Sequence, residues 1–96
     1  MTVYFVSRHS GATAWAQQEG ITVDQQLAHL NVNDIKTGDV VIGSLPVNLA
    51  ADICQRGARY VHLTLELPFE LRGKELNAEQ MRTCGARIEE YVVTRK

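Results

Sequence analysis

The chain has 96 residues, of which 45% are hydrophobic and 22% are charged, and its formal net charge at pH 7 is −1. This length and composition are typical of one globular domain over residues 1–96 and argue against a disordered chain. The near-neutral charge argues against general binding to duplex DNA or to a membrane surface, which normally requires a basic excess. We therefore expect any anionic ligand to meet a local patch of positive charge.

The sequence has no apolar run approaching the ~20 residues that a membrane span needs, and its N-terminus continues directly into a strand pattern. These features favour a cytoplasmic protein without a membrane partner. Cys54 and Cys84 lie outside any CxxC motif or Cys/His cluster, so the sequence predicts neither a metal site nor a disulfide framework. A domain this small gains stability when it buries apolar surface against a second copy of itself, which favours a homodimer.

The first predicted element is a strand over residues 3–6 (VYFV), a β-branched and aromatic run without polar alternation. Such a run is typical of a strand that is covered on both faces, as in a parallel sheet between helices. It stops at a polar turn, residues 7–11 (SRHSG). Ligands of open α/β sheets bind outside the carboxyl ends of the strands, so this turn is where we expect chemistry.

A short helix is predicted next, beginning with Ser10 or Thr13 as its cap and ending near Glu19, with Gly20 as a left-handed stop. Residues 21–30 leave two interpretations open, a short strand at their start and a helical turn at their end. The inward stripe of the helix consists of Ala12, Trp15 and Ala16.

The centre of the chain predicts a strand–helix–strand unit. A second buried strand at residues 39–43 (DVVIG) leads into a helix that runs from Pro46 to about Arg56 and stops at Gly57. A further strand follows at residues 59–67 (RYVHLTLEL). Such a unit within about 30 residues is a βαβ motif with a right-handed crossover.

The C-terminal third begins with a polar loop, residues 68–75 (PFELRGKE), before a last helix capped by Asn77 and Gln80 in a capping box. Residues 91–94 fit a final strand or an extension of that helix. The pattern as a whole predicts a compact, Rossmann-like, three-layer α/β domain with a mainly parallel sheet of four to five strands. The inward stripe of the last helix consists of Met81, Cys84 and Ile88.

Three turns emerge at one edge if the strands that precede them run parallel: residues 7–11, 43–48 and 66–74. The backbone N–H groups at the two helix starts attract negative charge there, and Arg72 and Lys74 add full charges from the last loop. The candidate ligand-binding residues at this edge are Ser10, Gly11, Ser44, Pro46, Asn48, Arg72 and Lys74.

The sequence lacks GxGxxG, GxxxxGK, HExxH and GxSxG motifs, which argues against the dinucleotide, nucleoside triphosphate, zinc protease and esterase chemistries that use them. Residues 6–15 (VSRHSGATAW) resemble the strand-RHG turn of histidine phosphatases, in which His9 would take up the phosphoryl group. Here Ser10 separates the histidine from Gly11, and the turns at Ser44 and Glu66 offer no second catalytic histidine. A phosphatase is therefore the second hypothesis.

A broader resemblance covers nearly the whole chain. The opening YFVSRHSGATAWA, the central GDVVIGSLPVNLAADICQRGARYVHLTLELP and the later RGKEL resemble the small stand-alone CRISPR-associated Csx proteins of type III systems, number sixteen in that nomenclature. The resemblance implies a single domain related to the CARF fold that works as a homodimer. It also implies a ring nuclease, which degrades cyclic oligoadenylate, first of all cyclic tetraadenylate, and so ends the antiviral signal.

The implied reaction uses neither a metal nor a cofactor, because a ribose 2′-hydroxyl of the ligand attacks the adjacent phosphorus and leaves a 2′,3′-cyclic phosphate. We expect Arg8 to stabilise charge on the phosphoryl oxygens and His9 to transfer a proton. Ser7 and Asn48 would orient the ribose or the phosphate. His62, inside a strand, is interpreted as a packing residue. A non-catalytic module that sequesters the same ligand is the remaining alternative.

Overall fold

A five-stranded sheet with helices on both faces forms the core of the computed structural model, which describes residues 1–96 apart from the side chain of Ser10. Two short 3-10 turns, Val32–Asp34 and Phe69–Leu71, lie in connections. The helices and strands are β1 (Val3–Val6), α1 (Ser10–Gln18), β2 (Gln25–Leu27), β3 (Val40–Gly43), α2 (Val47–Gln55), β4 (Arg59–Thr64), α3 (Ala78–Thr83) and β5 (Arg87–Tyr91).

The strands lie in the order β2-β1-β3-β4-β5, in which β5 alone is antiparallel to its neighbour. Helices α1 and α3 cover one face, where Trp15 and Met81 pack against Phe5 of β1. Helix α2 covers the other face, where Ile53 packs with Val41 of β3. The predicted Rossmann-like three-layer α/β fold is confirmed.

The winding of the chain reverses at β1. From β1 the chain passes through α1 to β2 on one side, whereas β3 lies on the other side of β1 and continues through α2, on the opposite face, to β4. Such a reversal opens a crevice between the turns that leave the two central strands. The carboxyl ends of β1 and β3 therefore flank the place where an open α/β sheet binds its ligand.

The predicted helix ends agree closely with the structure. Gly20 and Gly57 adopt positive φ angles of 73° and 80° after α1 and α2, a conformation that favours glycine. The capping box of α3 is confirmed, since Asn77 accepts the Gln80 N–H and the Gln80 side chain accepts the Asn77 N–H. The predicted cap of α1 is wrong, because its N-cap residue is His9, which makes no side-chain capping bond.

Both interpretations of residues 21–30 are wrong, because residues 21–23 belong to no strand and residues 25–27 form the edge strand β2. Two hydrogen bonds fix where this strand begins: the Asp24 N–H donates to the Val3 carbonyl, and the Asp24 carboxylate accepts the Val3 N–H at 2.7 Å. The short sequence QQL carries no apolar pattern of its own. Its conformation comes from pairing with β1.

The last two strands also differ from the prediction. Strand β4 ends at Thr64, three residues before the predicted end, and the final strand begins at Arg87 rather than at residue 91. Gly85 has a φ of 72° and ends the last helix, so Ile88 lies in β5 and not on the helical stripe. Its side chain still packs against the core between the sheet and α1 and α3.

Asp39 is a buried carboxylate just before β3, with 5% of its surface exposed. It accepts the Lys36 N–H at 2.9 Å and the Thr2 N–H at 3.0 Å. These backbone hydrogen bonds, first that of Lys36 and then that of Thr2, hold the pKa of Asp39 below its ordinary value of 3.8. Because the folded-state pKa lies below that of the unfolded chain, the carboxylate stabilises the fold above about pH 4. That stability is lost as the pH falls through the folded-state pKa.

We expect Asp39→Asn to lower the free energy of unfolding at neutral pH, because one amide oxygen replaces two carboxylate oxygens facing two backbone donors. The deficit should shrink as the pH falls, which urea unfolding at steps between about pH 7 and pH 2 would measure. Asp34→Asn, at an exposed position, is the matched control and should leave the urea midpoint unchanged. A deficit of Asp39→Asn that stays constant over this range would contradict the prediction.

Candidate functional site

A cleft of about 700 Å³ opens at the carboxyl ends of β1, β3 and β4, beside the reversal of the chain. Its volume lies in the range of sites that hold small molecules. All three histidines of the chain line it. The polar side chains in its wall include Ser7, Arg8, His9, His29, Ser44 and His62.

The turn after β1 is held by backbone hydrogen bonds to its neighbours. The Ser7 N–H donates to the Leu27 carbonyl at 2.9 Å, which ties the ends of β1 and β2 together. The Ser7 Oγ accepts the His9 N–H at 3.1 Å, so the hydroxyl proton is left to donate to a ligand. His9 is extended, with φ −84° and ψ 125°, and its carbonyl begins α1. Ser7 and His9 therefore hold fixed positions at the mouth of the cleft.

Arg8 is exposed and reaches across the turn to the loop after β2. Its Nη2 donates to His29 Nδ1 at 3.2 Å. A guanidinium has only donors, so Nδ1 is the acceptor here and the proton of a neutral His29 lies on Nε2. None of the ion pairs described for the chain involves Arg8, so its charge has no acidic partner there.

His29 was not predicted as a site residue, because the sequence does not reveal the strand that precedes it. Once residues 25–27 are recognised as a parallel strand next to β1, the residues that follow must emerge at the same edge as the turn after β1. That inference requires the pairing of β2, which a polar three-residue strand does not reveal.

On the β4 side of the cleft, the Tyr60 hydroxyl is the centre of a hydrogen-bond network. It accepts the Leu45 N–H at 3.0 Å and lies 3.1 Å from the Gly43 carbonyl and 2.5 Å from His62 Nδ1. Burial raises the pKa of Tyr60, and the bond from Leu45 opposes this only in part, so the phenol stays protonated at neutral pH. Ser44, directly after β3, adds a second link to β4, because its hydroxyl donates a hydrogen bond to the Leu63 carbonyl.

His62 packs edge-on against Tyr60 and Tyr91, with ring centroids 5.7 and 5.9 Å apart, as predicted for a packing residue. It also lines the cleft, which the sequence analysis did not anticipate. The register pairs Val6 with Gly43 and Gly43 with His62, so the three residues form one row across the sheet. A Cβ at Gly43 would lie 2.8 Å from the Val6 carbonyl oxygen. The close approach of β1 therefore explains the glycine at position 43.

Two helix starts contribute backbone donors to the same edge. Helix α1 begins after His9 and α2 after Pro46, and neither N-cap residue makes a side-chain capping bond. Neither first turn contains an acidic residue. The positive ends of both helix dipoles therefore remain available to an anion. Asn48 lies in the first turn of α2 with its side chain exposed, outside the described lining of the cleft.

Several predicted ligand-binding residues do not reach the cleft. Gly11 is buried where α1 meets the segment before α3, and a Cβ there would lie 2.2 Å from the Leu76 carbonyl oxygen. The close packing of α1 against this segment therefore explains why a glycine occupies position 11. Arg72 and Lys74 are exposed after the second 3-10 turn and are absent from the described lining. The side chain of Ser10 lies outside the described part of the structure.

Arg56 and Arg59 lie at the opposite edge of the sheet, as predicted. Arg59 opens β4 and forms an exposed ion pair with Glu90 at 2.7 Å, while Arg56 donates to Asn33 at 3.0 Å. Among the described residues, no group of three or more His, Cys, Asp or Glu side chains is arranged to hold a metal ion. In the same part of the chain, no helix combines the length and the apolar character needed to cross a membrane.

Comparison with known families identifies the protein more closely. A family model described as "Putative CRISPR-associated protein (Cas_VVA1548)" matches residues 4–94. The chain belongs to this CRISPR-associated family. No curated protein and no solved structure gave a significant match. The Cas_VVA1548 match extends from β1 beyond β5, so the whole cleft lies inside the part of the chain that the family model covers.

Proposed function

We propose that this CRISPR-associated protein is a ring nuclease of type III systems, which cleaves cyclic tetraadenylate and so ends antiviral signalling. Within its family it would correspond to the small Csx proteins numbered sixteen and would be related to the CARF fold. The observation that carries the proposal is the composition of the cleft. An arginine without an acidic partner, three histidines and two helix starts without side-chain caps meet at the edge of an α/β sheet where anionic ligands bind.

The proposed reaction is a transesterification that needs no external nucleophile. The 2′-oxygen of one ribose forms a bond to the adjacent phosphorus while the bond from phosphorus to the 5′-oxygen breaks. One proton leaves the 2′-hydroxyl and one is delivered to the 5′-oxygen. The products are a linear oligoadenylate with a 2′,3′-cyclic phosphate and a 5′-hydroxyl. The protein therefore has to bind the ring, align the 2′-oxygen and move two protons.

The residues of the cleft suit these tasks. A phosphate would replace the neutral His29 as the acceptor for Arg8, giving a shorter, charge-assisted hydrogen bond. The free hydroxyl proton of Ser7 and the N–H groups of the helix starts would bind the same phosphate. His9, at the mouth of the cleft, would transfer one of the protons. Asn48, at the rim, would orient a neighbouring ribose.

A twofold dimer fits the symmetry of the proposed ligand. Cyclic tetraadenylate presents equivalent phosphates on opposite sides, so two copies of one cleft would meet it with matched contacts. Val47, beside Pro46 at the start of α2, is 71% exposed and offers an apolar side chain near the rim for burial between two copies. Arg72 and Lys74 would reach the ring only by closure of their loop or from the second copy.

We expect Val47→Asp to shift a wild-type dimer toward the monomer and to weaken binding of cyclic tetraadenylate, because it places a charge at an apolar contact. Light scattering after size exclusion would measure the mass. Val92→Asp is the matched control, since Val92 is 81% exposed in the segment after β5 and should leave the dimer intact. A wild-type protein that stays monomeric with bound ligand would contradict the twofold arrangement.

The decisive experiment incubates the purified protein and a chelator with cyclic tri-, tetra- and hexaadenylate. The first cut of a ring is an isomerisation, which leaves the mass unchanged. Chromatography must therefore separate the linear product from the ring before mass spectrometry. A second cut of cyclic tetraadenylate yields dinucleotides of half the mass. A ring with 2′-O-methyl groups should bind and stay intact, because it lacks the nucleophile.

The other hypotheses predict different products from the same incubation. A sequestering module would return intact ring after denaturation. A histidine phosphatase would release phosphate from a monoester and trap a phosphohistidine at His9. Either result, in place of linear oligoadenylate, would overturn the proposed function.

A further inference from the structure

His62 occupies a place in the cleft that the proposed roles of the other residues leave unused. Its Nδ1 is held by the Tyr60 hydroxyl at 2.5 Å, and its ring is clamped between the rings of Tyr60 and Tyr91. The hydrogen bonds described for the chain leave Nε2 without a partner. Because the side chain lines the cleft, Nε2 is the nitrogen that a ligand can reach.

The Tyr60 hydroxyl can serve His62 in both of its protonation states. When Nδ1 carries a proton, it donates to Tyr60, and the phenol donates its own proton to the Gly43 carbonyl. When Nδ1 is unprotonated, it accepts the phenol proton instead. The Leu45 N–H donates to the same oxygen in either case. Exchange of a proton at Nε2 leaves the Nδ1 proton in place, so the hydrogen bond from Nδ1 to Tyr60 holds His62 fixed while its charge changes.

His62 and His9 reach the cleft from two different strands. His9 follows β1 and His62 lies in β4, with β3 between them, and both side chains line the cleft. A ribose-phosphate linkage bound in the cleft would therefore meet an imidazole from the turn after β1 and another from β4.

We propose that His62 is the second proton-transfer group of the cleft, acting across the reacting phosphodiester from His9, and that Tyr60 is its positioning residue. This inference rests on the proposed ring nuclease function. One imidazole takes the proton of the 2′-hydroxyl as the bond from that oxygen to phosphorus forms. The other gives a proton to the 5′-oxygen as its bond to phosphorus breaks. Exchange of one proton with water restores each histidine.

Other titratable groups line the same cleft or belong to elements that pack against β4, and they must be held constant in a test. From β5, Glu89 is its register partner and Tyr91 packs on its ring. From α2, Asp52 is ion-paired with Arg95. Arg8, His9 and His29 line the same cleft from the turns after β1 and β2. His62→Gln, His62→Gly and Tyr60→Phe leave all of these groups unchanged.

His62→Gln tests the proposal, because glutamine can still hydrogen-bond to Tyr60 but cannot exchange a proton at neutral pH. We expect the single-turnover rate of cyclic tetraadenylate cleavage to fall about 10²–10⁴-fold. The Kd for the ring should change only a few-fold, and one limb of the pH–rate profile should disappear. Added imidazole should restore part of the rate in His62→Gly, which supplies a readout independent of the glutamine variant.

Tyr60→Phe should keep both limbs of the pH–rate profile but move the limb that His62→Gln removes, because the hydroxyl partner of Nδ1 is gone. Tyr4→Phe is the matched control, since Tyr4 packs in the core on the same face of the sheet but does not line the cleft, and it should leave rate and profile unchanged. Cleavage by His62→Gln at the wild-type rate, with both limbs present, would overturn the inference and leave the proposed function standing. A wild-type protein that cleaves no ring would overturn both.

Discussion

Replacing Arg8 with alanine is expected to weaken binding of cyclic tetraadenylate and to slow its cleavage by about 10²–10³-fold. The reason is that the Arg8 guanidinium is bonded to a neutral His29 and not to a carboxylate. A bound phosphate would therefore gain the full attraction of this charge without first breaking an ion pair. Equilibrium binding to a labelled ring and single-turnover cleavage would measure the two effects separately.

Two further variants make the Arg8 result specific. Arg8→Lys keeps the charge but loses the planar, bidentate donor geometry, so it should recover binding more than cleavage. Arg56→Ala removes the same charge at the opposite edge of the sheet, where Arg56 bonds to Asn33, and should change neither. Full activity of Arg8→Ala would show that the ligand does not use the turn after β1.

His9→Ala separates proton transfer from binding at the same turn. Its side chain should contribute little to affinity, so the ring should bind with nearly the wild-type Kd while single-turnover cleavage slows by about 10²–10⁴-fold. A parallel loss of affinity and rate would instead assign His9 to binding. Unchanged cleavage in both Arg8→Ala and His9→Ala would move the candidate site away from this turn.

Much of the site could be predicted because local sequence determines it. The apolar run of β1, the left-handed stops at Gly20 and Gly57 and the capping box at Asn77 follow from conformational preferences of a few residues. Parallel strands then bring Ser7, Arg8, His9, Ser44 and Pro46 to one edge, and all five line the cleft.

What could not be predicted depends on pairing between distant segments. Strand β2 forms by hydrogen bonds to β1 and has no apolar pattern, so the sequence does not predict that His29 lies beside the turn after β1. The alternation of β4 places His62 on the same face as Tyr60, but only the assembled sheet shows that His62 lies in the wall of the cleft. The helical spacing of Met81, Cys84 and Ile88 continues through Gly85, where the backbone turns away.

Gly11→Ala is expected to be strongly destabilising, although alanine is favoured over glycine in a helix interior by about 1 kcal/mol. The new Cβ would lie 2.2 Å from the Leu76 carbonyl oxygen and 2.5 Å from the Asn77 backbone. These neighbours are backbone atoms, so no side-chain rotation relieves the contact. Either α1 must move away from α3, or Asn77 must shift and break the capping box that begins α3.

Overpacking of this kind costs about 1–3 kcal/mol or more, which outweighs the helix propensity of alanine. After the gain from alanine is subtracted, a net loss of about 1–2 kcal/mol remains. We therefore expect the Tm of Gly11→Ala to fall by about 4–16 °C in calorimetry, since each kcal/mol is worth about 4–8 °C in a domain of this size. Ala14→Ser, at an exposed position of the same helix, should change stability by less than about 0.5 kcal/mol. An unchanged or raised Tm for Gly11→Ala would mean that the helix propensity of alanine outweighs the close contact with the Leu76 and Asn77 backbone. A folded variant that loses only ligand affinity would show that Gly11 contributes to ligand binding, as the sequence predicts.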